Sequence, residues 1–592
     1  MKLLYVKFTL IITVIALVIT IIACNRDSLL KGVNIEVGTE LLYNPVNVQI
    51  IDGKLDGTIP QNITVSIIGK DKDKIYSVLG EKAITVNSYG ILNIGIPRNN
   101  TATIYAPIEF MVVINAPGYM EARKNFVVTD LKRNIFEDAR MVNLSSPPKG
   151  VSISSNVVIP VDAAKGVMED INFATPSAIG KTENASVKVL AGTKMFDKDG
   201  NAVTGDVKVS LVHFDAVNKT SLSCYPGGFS FRGAIDSSGK PVNGGEFYTL
   251  GFITLSMSAN DKVVKTFSKP INVEAEVNAN TFNPVLNRKI QVGDSIPIWS
   301  LNDLTGKWTL ELYSKITVKN NKLILNYNQT HLSYWNFDFW DCQFGCNSCN
   351  NPVITILSDF TETSNNGYYG ISIEAPGSPP GVHSHGETQL KLITGSTINP
   401  NNYNNSQIGL VINIFDTPNT WAGNLIYSSP VFYPCNGDPL DLRGKLPPLP
   451  LPPPTINLNF SAVCAGTTAN STKATIYPSA WVYYHEVGSY NWWQYLGFIN
   501  NGTGSGSGLI PGKKYKFAIF YGSFSRTTDD LGLKDGFLMP DGDATIAVKS
   551  TVYGLNESIT IHKNVANNSY DLNYFNYPVP DKLCAEYQKY FK

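Results

Sequence analysis

The sequence predicts an all-β protein of tandem β-sandwich modules joined by proline-containing linkers. Three observations lead there. Short runs with a period of two recur from Val33 onward, as in Ile63-Thr64-Val65-Ser66-Ile67, where the aliphatic residues share one face of a strand and the hydroxyl residues the other. Glycine, asparagine and proline separate these runs with residues suited to tight turns. Aromatic residues make up 11% of the chain and charged residues only 16%, below the roughly 25% of ordinary globular domains; that balance suits sheets faced with aromatic and β-branched side chains. The 592 residues exceed what one hydrophobic core serves, so roughly four domains are expected. Lysine plus arginine balance aspartate plus glutamate at 48 each, which leaves no net field to draw in phosphate backbones and argues against a nucleic-acid partner.

Residues 1–23 read as a leader. Lys2 and Lys7 precede an uncharged apolar run from Phe8 to Ala23, and Cys24 follows. A helix of about 16 residues is about 24 Å long, short of the roughly 30 Å hydrocarbon core, so the run suits an export signal better than a permanent span. Ile21-Ile22-Ala23-Cys24 resembles the lipobox of bacterial lipoproteins. The resemblance implies cleavage after Ala23 and acylation of Cys24, with palmitate among the acyl groups, and makes residues 24–32 a lipidated tether whose first partner is the membrane. Asn25 rather than aspartate after the cysteine implies the outer membrane, on either its periplasmic or its cell-surface face.

The first module is expected over 33–146. Its strand Phe110–Ile114 runs into Ala116-Pro117-Gly118-Tyr119, a turn in which Pro117 fixes φ and Gly118 tolerates a positive one. This region resembles the carboxypeptidase-regulatory-like, prealbumin-type sandwich common in surface proteins of Bacteroidota. The resemblance implies an accessory module without catalytic residues. Ser145-Ser-Pro-Pro-Lys-Gly150 is the first linker, since paired prolines cannot continue a ladder.

A second sandwich region is expected over 150–340. Asp197-Lys-Asp-Gly-Asn201 lies between alternating runs as a hairpin turn, and Val207, Val209 and Leu211 form the buried face of the return strand, a parity that His213 continues. Asp197, Asp199 and Asn201 have calcium-loop spacing, but an EF-hand would need a bidentate glutamate where Lys208 stands. With Gly192-Thr193, Ile298-Trp299-Ser300 and the closing Trp335-Asn-Phe-Asp338, the region resembles the extracellular β-sandwich of bacterial lipoproteins and of cartilage intermediate layer protein. It departs at Phe337, where many bacterial relatives would carry a cysteine.

Then come a cysteine-rich connector at 341–351, a third β module at 352–445 with Leu410-Val-Ile-Asn-Ile-Phe415, and a polyproline spacer at 446–454. Nine residues at about 3.1 Å each extend roughly 28 Å. The C-terminal sandwich is expected over 455–580 and a short tail over 581–592.

Seven cysteines besides Cys24 leave an odd count, so at least one thiol is free, metal-bound or shared between molecules. Disulfide candidates are Cys342, Cys346, Cys349, Cys435, Cys464 and Cys584, and a Cys464–Cys584 bond would staple the last module to its tail. Cys342, Cys346 and Cys349 also have spacing near that of zinc knuckles, and Cys346 with Cys349 forms a C-x-x-C. His383, His385 and Glu387 would share one face of a strand and could hold a divalent metal, the only cofactor to which the sequence points; the preceding Gly-Ser-Pro-Pro-Gly argues for a solvated loop instead. Trp481, Tyr484, Trp492 and Trp493 stand in an aromatic run that offers either a stacking platform for sugars or the filling of a sandwich.

No G-x-S-x-G elbow is present, and His485-Glu486 fails as HExxH because Ser489 takes the second histidine's place. The expected function is therefore that of a noncatalytic, lipid-anchored cell-envelope protein with a modular binding or structural role toward a protein or glycan partner. Two alternatives stand beside it: a carbohydrate-binding lipoprotein using the aromatic-rich last module, and a metal-dependent enzyme at His-Ser-His-Gly-Glu.

Overall fold

The computed structural model describes residues 36–579 apart from internal stretches that include 343–352, 362–368, 382–388, 399–408 and 465–473. The described chain is almost wholly β. Its one α-helical turn is Lys219–Leu222.

The first module comprises β1 (Glu36–Gly38), β2 (Leu42–Asp52), β3 (Thr64–Ile68), β4 (Tyr76–Ser77), β5 (Ile91–Pro97), β6 (Ile108–Asn115), β7 (Ala122–Val128) and β8 (Ile135–Met141). Two sheets, in the orders β4-β5-β2-β8 and β3-β6-β7, face each other across Val46, Val48, Ile94, Phe110, Val112 and Phe126. The predicted alternation of Ile63, Val65 and Ile67 is borne out: all three pack against this core. The turn after β6 has Gly118 at φ +80°, and the Tyr119 hydroxyl donates to Asp52 Oδ2 at 2.9 Å. β1 does not join either sheet. It pairs in parallel with Ala474–Tyr477 of the last module, Glu36 opposite Thr475.

The 145–150 linker is folded onto its neighbour: Val151 N–H donates to the Pro148 carbonyl, and Thr220 Oγ1 donates to that of Lys149. The second module stacks a nine-stranded sheet on a seven-stranded one. Val207, Val209 and Leu211 enter the core between them, as their spacing predicts, and the 197–201 turn closes with Gly200 at φ +80° and Asp197 N–H donating to the Asn201 carbonyl. Phe337 is fully buried in that core, opposite Ile298.

The nine-stranded sheet is buried on its other face too, where Val212, Phe214, Phe252, Trp299 and Trp308 meet Met111 and Val113 from the outer side of β6. Its 19-residue strand Pro241–Ala259 serves both faces by alternation, and a bulge between Thr249 and Phe252 reverses which parity faces which core. Tyr248 and Leu250 face one core, and so do Ile253 and Leu255 after the bulge. Gly251 sits in the bulge at φ +127°, where a Cβ would lie 2.9 Å from the Phe214 carbonyl oxygen.

The third module sets Ile354–Leu357 and its partners against Tyr369–Glu374 and Val411–Phe415 around Ile356, Ile371 and Ile412. The fourth supplies the other eleven strands of the twelve-stranded sheet that β1 joins, and this sheet curls on itself, since Val482 and Tyr515 from one end share a core with Val548 and Ile561 from the other.

Candidate functional site

The strongest convergence of aromatic and polar side chains is the contact between the first and last modules. Strand Ala480–Glu486 divides its side chains by parity: Val482 and Tyr484 enter the core of the curled sheet, while Trp481 and Tyr483 point out of it with Ala518 and Phe520. That outward face meets the outer face of the β4-β5-β2-β8 sheet at Ile91, Tyr89 and Phe136. Phe136 stacks on Tyr495 with ring centroids 5.2 Å apart, and Tyr89 meets Trp493 edge-on at 5.7 Å and Phe520 at 5.4 Å. Aromatic pairs of this geometry contribute about 0.5–1.5 kcal/mol each beyond the area they bury.

A polar thread runs through the contact. Asn47 and Asn93 are directly opposite each other in β2 and β5, and the Asn47 amide donates to Asn93 Oδ1. Asn47 Oδ1 in turn accepts from the Tyr483 hydroxyl, whose pKa burial raises well above its ordinary value. Asn47, Asn93 and Gln49 would be water-facing residues in an isolated sandwich. All three are buried here, and Tyr483 of the last module reaches Asn47.

This placement corrects the expectation of an open aromatic platform. Trp481, Tyr484 and Trp493 are 1%, 8% and 9% exposed, the first and last inside the inter-module contact and Tyr484 in the core of its own module. Trp492 lies outside the described residues, as do His383, His385, Glu387, Cys24, Cys346, Cys349, Cys435 and Cys584. Among the described residues no three histidine, cysteine, aspartate or glutamate side chains gather as a metal site. Cys342 ends the strand Tyr334–Cys342. Cys464 is fully buried at the end of Thr455–Cys464, and the buried Cys224 is a free thiol whose pKa burial pushes up to about 12.

A second polar cluster went unnoticed in the sequence. Asn336 and Asp338 lie opposite the Thr249–Phe252 bulge and are both fully buried. The Tyr225 hydroxyl donates to Asp338 Oδ2 at 2.5 Å and accepts from the Asn336 amide, while Trp299 Nε1 donates to the Asp338 carbonyl at 3.1 Å. Among the described residues, Asn336 Oδ1 and Asp338 Oδ1 have no hydrogen-bond partner. Burial pushes the Asp338 carboxyl up to about 7, and its polar neighbours Thr249, Tyr225 and Asn336 offset only part of that. In Trp335-Asn-Phe-Asp338 the polar residues alternate with aromatics as on a strand with one wet face, and only the structure shows a core on both sides. The chain matches no protein-family model and no curated protein.

Proposed function

We propose that this chain is a noncatalytic lipoprotein of the outer membrane, held there through acylated Cys24, in which the folded modules form one body with a binding or structural role toward a protein partner. The observation that supports it best is the contact between the first and last modules. An extended stalk would leave these surfaces wet, whereas Trp481, Tyr483 and Phe520 are buried against Ile91, Tyr89 and Phe136. The β1 ladder to Ala474–Tyr477 adds a backbone seam close to the tether. The glycan reading loses the open face that Trp481, Tyr484 and Trp493 would have supplied.

A Cys464–Cys584 disulfide belongs to the same proposal. Cys464 is bonded rather than free, and its strand lies parallel to Ser569–Val579 with Cys464 opposite Val579, shortly before Cys584 along the chain. Membrane fractionation of cells expressing the full chain tests the anchor, with Cys24→Ser as the control. Wild type should sediment with outer membranes and carry fatty acyl groups by mass spectrometry, and the variant should not. Retention of residues 1–23 on an unacylated wild-type protein would overturn the proposal.

A further inference from the structure

The first module has one open seam. β3 is an edge of its sheet, paired on one side with β6. Facing it, Ile84-Thr85-Val86 belongs to no sheet; Ile84 and Val86 are half-buried against the module's core while Thr85 between them is exposed. Between them lies a groove of about 640 Å³, within the roughly 300–1,000 Å³ typical of ligand sites. The backbone groups of Ala83–Val86, and the outward-pointing half of those on β3, make no backbone hydrogen bond across it.

We infer that this groove receives an extended polypeptide segment of a partner protein as an added strand between β3 and Ile84–Val86. The unpaired main chain on both walls selects the class of occupant, because alternating N–H and C=O groups at strand spacing are what a polypeptide supplies and a sugar does not. No aromatic ring lines the groove. β3 is five residues long, matching a guest segment of about 17 Å. Charge narrows the choice: Lys72 and Lys82 line the groove against the single acidic side chain of Asp73, which favours a guest strand carrying a carboxylate. The wall is also continuous with the inter-module contact, since Val86 leads through Asn87 to Tyr89, which packs on Trp493. A guest strand would therefore lie against a wall that the last module already braces.

The inference rests on the binding role proposed above, and its test in solution does not depend on acylation of Cys24, so the two fail separately. Panning a phage-displayed library of random linear heptapeptides against the full chain should enrich sequences that alternate β-branched or aromatic residues with polar ones and contain aspartate or glutamate. Synthetic versions should lose about tenfold or more in affinity with Ser66→Pro and with Lys72→Glu/Lys82→Glu, and when N-methylated at alternate amides. Binding should also slow amide exchange at Thr64–Ile68 and at 84–86. If Ser66→Pro alters the near-ultraviolet circular dichroism of the free protein, the charge reversal and the N-methylated peptides decide. Absence of enrichment, binding indifferent to charge reversal and N-methylation, or self-association of the chain through β3 in place of peptide binding would each overturn the inference.

Discussion

Replacing Asp338 with asparagine tests whether a buried carboxyl sets the pH response of the second module. In the folded protein the carboxyl is raised from 3.8 to about 7, and no charged side chain contributes to the shift. A raised carboxyl favours folding while protonated. Its contribution is fully present below pH 3.8 and is lost as pH rises from there through about 7. A shift of about 3 units at 1.36 kcal/mol each amounts to about 4 kcal/mol. Asp338→Asn keeps an oxygen for the Tyr225 hydroxyl and removes the titration. The stability of the variant relative to wild type should therefore rise by about 4 kcal/mol between pH 4 and pH 8. Urea unfolding followed by tryptophan fluorescence reads this, because Trp299, Trp308 and Trp335 are all buried in the same module. An equal difference between the two proteins at pH 4 and pH 8 would refute the reasoning.

Other perturbations follow from the same geometry. Tyr483→Phe leaves Asn47 Oδ1 without its donor in a buried contact and should weaken the joining of the first and last modules by about 1–3 kcal/mol, read as faster amide exchange in β2 and β5. A double-mutant cycle on Tyr89→Ala and Trp493→Ala should give a coupling of about 0.5–1.5 kcal/mol in chemical denaturation. Gly251→Ala places a Cβ against the Phe214 carbonyl at a strongly positive φ and should cost about 1–3 kcal/mol or more, seen as a lower thermal midpoint. Cys224, buried with a raised pKa, should resist thiol reagents at pH 8 in the native protein and react once urea unfolds it.

Much of the fold was legible because strand periodicity is local. Ile63, Val65 and Ile67, and Val207, Val209 and Leu211, took the faces their spacing assigned, and the Asp197–Asn201 turn formed where its glycine and asparagine pointed. The separation of Trp481 from Tyr484 was legible too, since an odd spacing in a strand puts two side chains on opposite faces. What stayed hidden depends on contacts between distant segments. Asn47, Gln49 and Asn93 carry the alternation of a wet outer face yet are buried, and nothing near them in sequence announces that Tyr483, 436 residues away, bonds Asn47. Asn336 and Asp338 were hidden for the same reason. Only the second core behind their strand shows that they are not solvent-facing.

The ladder between β1 and Ala474–Tyr477 bears on how the molecule matures. Glu36–Gly38 find their mates only at Thr475–Tyr477, so this closure cannot precede synthesis of the chain through Tyr477. Pairings of such large sequence separation form slowly, because the chain must search before any contact rewards it. Until then the outer face of the first sandwich would stand bare, and a holding chaperone would find its natural grip on Ile91 and Phe136.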